Sequence, residues 1–352
     1  MAKNKKIIAG LLLACFFLIS VASFTQKSLT FDEIQHLSSG YATLKTGNFY
    51  IGPGHPPLMR LWAALSLSVM NPGYPHDHKL LSRNRKYWWL SVGEDYRFGH
   101  EFLYKSGNNP EKIVFASRLM CVILGVFLGV LVYLFSKKLF GWKAGLFSLF
   151  LFSFSPTVIA HSRLVMNDIA GAAGITLSLL LYLRYIEKKT WTRFIVVSLA
   201  VFLALMLKYN AVFILPVLFL GFLFTEKLKG FGKFVLILLA LILALNIFYG
   251  FKGTFGKKDI EYNLFKKMAP DKMSGRAVYS AYINFPLPER FMQSFSNLLI
   301  HNKRGHSSFV AGKYHTAGSW NYFPLAFLIK TPFLTILLIA VLVYVYIKKR
   351  KL

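Results

Sequence analysis

Two acids and two histidines within one short stretch are the residues of this sequence best suited to chemistry. Residues 30–46 read Thr-Phe-Asp-Glu-Ile-Gln-His-Leu-Ser-Ser-Gly-Tyr-Ala-Thr-Leu-Lys-Thr. Asp32 and His36 are four residues apart, so they share one face of any helix formed there. Phe31, Ile34, Leu37, Tyr41 and Leu44 recur at three- and four-residue steps, which predicts an amphipathic helix lying on a membrane surface. Thr30 and Glu33 fit a capping box at its start. A Gly47-Asn48 turn follows, then Gly52-Pro53-Gly54-His55-Pro56-Pro57-Leu58-Met59-Arg60, where Pro57 suits the first turn of a second helix running to Met70. A carboxylate at a helix start could move a proton. A structural account also exists for each residue: Glu33 as a cap, Asp32 as a surface acid stabilised by the helix dipole, His55 as a rigid turn residue.

Further candidates are scattered cations and acids. Arg163 and Asp168 are five residues apart in a very short loop, close enough to pair with each other. Lys208 separates two short apolar runs; a lysine at a helix centre costs roughly 2.5–3.5 kcal/mol, and less at the mouth of a bundle. Lys330 lies inside the last apolar run, just before Thr331-Pro332, and must snorkel or face a polar cavity. Arg118 poses the same problem early in the second run. Residues 251–321 carry 11 Lys/Arg against Asp259, Glu261, Asp271 and Glu289, together with Asn302 and His306. Trp320 and Tyr322 read as interfacial anchors.

What must position these residues is a set of membrane spans. Of 352 residues, 55% are apolar and the mean hydropathy is +0.48. A net charge of +28 would suggest nucleic-acid binding in a soluble chain; long uncharged runs exclude that class. Eight segments are candidates for crossing a bilayer: Ile7–Phe24, Ile113–Phe135, Ala144–Ala160, Ile169–Ile186, Phe194–Leu207, Ala211–Phe224, Phe234–Gly250 and Tyr322–Ile347. The first follows three lysines and reads as a retained anchor rather than a cleaved signal. Segments 1–6, 136–143, 187–193, 225–233 and 348–352 then share one side, with 16 Lys/Arg and only Glu187 and Glu226 as acids. Their cation density places both termini in the cytoplasm. The other side receives two long loops, 25–112 and 251–321. The expected fold is therefore all-α: a multi-pass transmembrane helical bundle of eight spans, one integral membrane domain over residues 1–352, whose two extracytoplasmic loops bear membrane-surface helices. Cys15 and Cys121 lie within spans and offer no disulfide framework. Nucleotide-binding glycine loops, CxxC and HExxH are absent, and the scattered carboxylates lack metal-ligand spacing, so neither cofactor nor metal is expected.

The run from Phe31-Asp32-Glu33 through His36-Leu37 and Gly40-Tyr41 to His55-Pro56-Pro57-Leu58-x-Arg60 resembles the first external loop of polyprenyl-phosphate-sugar-dependent glycosyltransferases. These are GT-C membrane enzymes related to dolichyl-phosphate-mannose protein mannosyltransferases and lipid A aminoarabinose transferases. Later landmarks follow in order: Ser162-Arg163-Leu164-Val165-x-Asn167-Asp168, Leu207-Lys208-Tyr209-Asn210, and Gly305-His306 through to Lys330-Thr331-Pro332. The resemblance implies transfer of a sugar from a polyprenyl-phosphate donor to an acceptor hydroxyl on the outer face of the plasma (inner) membrane, with inversion at the anomeric carbon. It casts Asp32 as catalytic base, with Glu33 as the second acid of the pair. His55, Arg60, Lys208 and Lys330 become ligands of the donor phosphate. His36, Arg163, Asp168, Asn302 and His306 would line the sugar or acceptor site. Some GT-C relatives use a divalent cation; the mannosyltransferase-like ones do not, and none is expected here. The acceptor is left open among protein, lipid and polysaccharide hydroxyls. Two other classes are compatible with a membrane bundle of this kind: a transporter or flippase of lipid-linked sugars, and an inactive scaffold of a glycan-assembly complex. Acids placed in outer loops and the lack of an inverted repeat favour the enzyme.

Overall fold

A computed structural model describes residues 2–49, 51–52, 54–76, 78, 92–255, 279–304, 307–316 and 318–350. They are almost entirely helical. The first helix, α1 (Ala2–Phe24), leads into α2 (Phe31–Thr46), α3 (Leu58–Met70) and α4 (Val92–His100). Then come α5 (Pro110–Ser153), α6 (Pro156–Ser162), α7 (Asn167–Glu187), α8 (Trp191–Leu207) and α9 (Ile214–Phe248). After these follow α10 (Glu289–Arg304), a hairpin of β1 (Ser308–Val310) and β2 (Lys313–His315), α11 (Tyr322–Lys330) and α12 (Phe333–Arg350). The hairpin is antiparallel with Phe309 opposite Tyr314, and it is the one departure from the expected all-α fold among the described residues. Its turn residues, Ala311 and Gly312, both have positive φ, as a two-residue hairpin turn requires.

Four described helices are long and apolar enough to cross a membrane: Asn4–Phe24, Pro110–Ser153, Asn167–Glu187 and Tyr209–Phe248. Two of them are not straight. In α5 the helical path breaks at Gly141, whose φ of 84° no other residue type adopts readily. Beyond it the chain folds back, so that Gly145 abuts Tyr133 and Lys137, and Gly129 abuts Phe152. In α9 the break is at Lys227, with φ of 53°; there Phe219 and Phe234 meet with ring centroids 5.1 Å apart. A straight helix would separate those two by about 22 Å at 1.5 Å per residue. Glu226 and Lys233 pair across this turn at 2.5 Å.

The breaks at Gly141 and Lys227 fall inside the expected connecting segments 136–143 and 225–233, although the runs on either side do not part as separate long elements. Ile113–Phe135 and Ala144–Ala160 lie on the two sides of the first break, the latter reaching into α6 from Pro156, and α9 holds most of Ala211–Phe224 and Phe234–Gly250 on the two sides of the second. The segment Phe194–Leu207 falls in α8, a 17-residue apolar helix. Nor is the last expected span, Tyr322–Ile347, continuous: α11 and α12 meet at 108°. Pro332 disfavours the helical conformation at Thr331 and donates no hydrogen bond of its own, so the helix ends there.

The bundle core forms in layers. Phe16 of α1 packs with Leu128, Leu149 and Phe152 of α5 and with Ala173 of α7. Tyr185, Val201, Leu218, Phe222 and Ile237 join α7, α8 and both arms of α9. At Gly174 a Cβ would sit 2.6 Å from the Ala204 Cα, so α7 and α8 meet backbone to backbone. A third cluster seats the loop helices on the bundle: Leu37, Tyr41, Met59, Ala63 and Leu67 pack with Phe102, Ile113 and Val165. The face of α2 buried by this contact is wider than an amphipathic surface helix needs, since Ser38, Ser39, Gly40, Ala42 and Thr43 are buried too. Of the expected apolar stripe, Phe31 and Leu44 remain exposed, Phe31 at 72%.

Candidate active site

The start of α2 carries both acids of the pair, and the structure gives them different surroundings. The capping box forms as expected, the Thr30 amide donating to Glu33 Oε2 at 2.9 Å. Glu33 is fully buried. Arg118 of α5 donates to both its oxygens, Nε to Oε1 at 2.9 Å and Nη2 to Oε2 at 2.7 Å, and the Val165 amide donates to Oε1 at 3.1 Å. Burial alone would raise the Glu33 pKa, but these donors and the Arg118 charge hold it below the usual carboxylate range. The rest of the Arg118 guanidinium donates to the carbonyls of Phe24, Lys27 and Ser28. Arg118 thus clamps the linker between α1 and α2, and Glu33 presents no oxygen to a substrate.

Asp32 is half-buried on the neighbouring face. It accepts from the Tyr96 hydroxyl through Oδ1 at 2.9 Å, and its other oxygen has no partner among the described residues. The Tyr96 ring stacks on Phe31 at 4.2 Å. Neither Tyr96 nor its buried neighbour Asp95, which accepts from Gln35 at 3.2 Å, was singled out from the sequence.

One turn along α2, His36 lies against His55 with ring centroids 5.7 Å apart. Burial, then the nearby His55 and Arg60 charges, push the His36 pKa down to about 3. Burial, then Lys208 and Arg60, bring His55 down to about 4, although Asp168 and Asp32 oppose the shift. The Nδ1 atom of His55 is buried without a hydrogen-bond partner. Arg60, in the first turn of α3, is 4% exposed. Its Nη1 donates to the Gly52 carbonyl, its Nε has no partner, and no carboxylate pairs with it among the described residues. Burial lowers its pKa as well, which marks an incompletely compensated cation. Gly52 has φ of 69°, and a Cβ there would clash with Arg60 and Ser39, so glycine is needed for this contact.

Arg60 and His55 line a small pocket with Phe49, Gly52, Tyr249, Arg290, Gln293 and Ser294. Arg290 comes from the start of α10, in the second long loop, and burial brings its pKa down to about 9. Sequence reasoning passed over it, although Pro288-Glu289-Arg290 is a recognisable helix start.

The remaining candidates are arranged differently from expectation. Lys208, the residue after α8, donates to Asp168 at 2.6 Å, and His161 lies 3.5 Å from the same carboxylate. Gly171 makes room for the Lys208 stem. Arg163 does not pair with Asp168; its Nη1 donates to the Ser23 carbonyl at 2.7 Å. Because α7 begins at Asn167, Asp168 sits in its first turn beside the end of α8, where Lys208 lies. Lys330 is exposed at the end of α11, where its carbonyl accepts from Thr157, and it is not brought to the pocket. Asn302 lies in α10, and His306 falls outside the described residues. No three His, Cys, Asp or Glu side chains converge as metal ligands among the described residues.

Residues 111–249, from α5 through the end of α9, match the sequence model of the dolichyl-phosphate-mannose-protein mannosyltransferase family. The match supports the class read from the motifs, a GT-C-like membrane glycosyltransferase. An uncharacterized protein of Aquifex aeolicus is 31% identical over 148 residues, which cover 42% of this chain and 27% of that protein. No solved structure matches.

Breaking one side of a buried ion pair costs about 3–5 kcal/mol. Arg118→Met is therefore expected to lower the thermal midpoint in detergent sharply, and adding Glu33→Gln should recover part of the loss; additive losses would refute the pairing. The two histidines give a second prediction. Their folded pKa values lie below the unfolded 6.5, so the stability they confer is complete above pH 6.5 and declines as the pH falls toward 4 and 3. Thermal midpoints of wild type should drop between pH 7 and pH 5, while His36→Gln/His55→Gln protein should show a flatter profile.

Proposed function

We propose that this protein is an inverting glycosyltransferase that moves a sugar from a polyprenyl-phosphate donor to an acceptor hydroxyl. In this reading α5 and α9 each cross the bilayer twice, giving eight crossings with α1, α7, α8 and the bent α11–α12 pair. Both termini are then cytoplasmic, and segments 25–112 and 251–321 meet at the outer face of the plasma membrane.

The observation that carries the reading is Arg60: a buried guanidinium without a carboxylate, in a pocket shared with His55 and Arg290. Such a group favours an anion, and a lipid monophosphate supplies one. Lys208 is bound to Asp168, so its part is to shape the wall of the site together with His161 rather than to hold the phosphate. Asp32 has one oxygen fixed and the other open, as a base accepting a proton from a hydroxyl requires. The acceptor oxygen bonds to the anomeric carbon as the bond from that carbon to the phosphate oxygen breaks. The proton passes to Asp32, and the polyprenyl phosphate leaves toward Arg60. A single displacement with one base inverts the anomeric centre. Glu33 contributes by holding the helix start through Arg118.

The test is incubation of purified protein in proteoliposomes with a panel of radiolabelled polyprenyl-phosphate monosaccharides, mannose first. Wild type is expected to cleave one member. Asp32→Asn should lose about 10²–10⁴-fold in turnover while keeping its thermal midpoint. Arg60→Gln should raise the donor KM about tenfold or more. A fully active Asp32→Asn protein removes Asp32 as the base; lipid movement across the bilayer without bond cleavage replaces the enzyme by a transporter.

A further inference from the structure

We propose that Tyr96 is the positioning residue of this site, tying one oxygen of Asp32 so that the other faces the acceptor; this rests on Asp32 being the base. The geometry comes from α4, an element without a motif. Gly99 of α4 lies so close to α2 that a Cβ would sit 2.5 Å from Ile34 Cγ2 and 3.0 Å from the Ser38 hydroxyl. Phe98 beside it is fully buried. One turn back, Gln35 bonds to Asp95, and at the same level Tyr96 reaches Asp32. The helix is thus fixed at two successive levels, and the Tyr96 hydroxyl arrives at Oδ1 with little freedom to choose another partner. Phe31 completes the arrangement: exposed by itself, it stacks on the Tyr96 ring and holds that ring over the carboxylate.

A phenol donating to a carboxylate fixes the plane of that carboxylate. Burial and the bond to Asp32 in turn hold the phenol proton on Tyr96 well above its ordinary range, so Tyr96 remains a donor at every working pH. The other charged or titratable groups around this end of α2 are Asp95 of α4, His55 and Arg60 from the α3 side, and Asp168 and Lys208 beyond His36. Arg118 of α5 is engaged by Glu33. The Tyr96 hydroxyl donates to Asp32, and Tyr96→Phe removes that bond while keeping the ring.

Water-soluble carbodiimide, which reacts faster with carboxyl groups free of hydrogen bonds, gives a readout that needs no donor. Peptide mass spectrometry at pH 7 should find Asp32 labelled about tenfold faster in Tyr96→Phe than in wild type. Buried Glu33 should stay unlabelled and exposed Glu111 should label equally in both proteins. Unchanged labelling at Asp32 overturns the inference. So does labelling of Glu33 in step with Asp32, which would mean that Tyr96 only supports packing. With the donor that wild type cleaves, Tyr96→Phe should lose about tenfold in kcat at an unaltered donor KM; a raised KM with intact kcat also overturns it. The parent reading fails separately, through an active Asp32→Asn protein, which would leave Tyr96 no base to position.

Discussion

The buried pair between Arg118 and Glu33 is the contact on which the arrangement of the loop between α1 and α5 depends. It joins three parts of the chain: the end of α1, the start of α2 and the first turns of α5. A guanidinium has five donors, and here they meet the two carboxylate oxygens and three carbonyls, so the desolvation of both charges is matched by bonds of good geometry. Helix α2 therefore begins at a fixed place relative to the membrane bundle. Asp32, the next residue along, inherits that place without taking part in the bond.

The cations near the outer mouth divide by what neutralises them. Arg118 has Glu33, Lys208 has Asp168, and Arg163 rests on a carbonyl of α1. Arg60, His55 and the Nε of Arg163 keep buried nitrogen atoms without a partner among the described residues. Structural cations in an apolar surrounding are expected to be satisfied within the chain. Of these, Arg60 is the cation that lines the pocket, and it marks the place where an anionic ligand contributes most. Arg60 and His55 lie on one side of α2, and the carboxylate of Asp32 lies within the electrostatic reach of His55.

Local rules were legible in the sequence. The Thr30–Glu33 box, the helix beginning after Pro57 and the apolar character of the long runs all follow from neighbours within a turn or two. What was not legible is partnership at a distance. Glu33 was legible as a helix cap and as the second acid of the pair, but not as the partner of Arg118, which is 85 residues away. Arg163 and Asp168 looked like partners because they are close in sequence, until the start of α7 turned the acid toward Lys208. The break at Gly141 falls inside segment 136–143, which its cations already marked as a connection between two apolar runs, but the left-handed conformation that makes the turn was not legible. Thr331-Pro332 was visible as a motif, yet its bend was absorbed into a continuous apolar count. Arg290 stood in a loop of 11 cations with no local feature to distinguish its burial.

Three glycines, Gly40, Gly52 and Gly99, stand where backbones of the outer loop touch: α2 against the Arg60 carbonyl, the loop before α3 against the Arg60 side chain, and α4 against Ile34. Their effect on how this protein can vary is unequal to their size. An exposed residue such as Leu44 can be exchanged over a wide range with the helices still in place. A side chain at Gly40 or Gly99 would push α2 away from α3 or α4, and one at Gly52 would displace the Arg60 side chain. The tolerance of the loop to sequence drift is therefore set by positions that have no functional group at all.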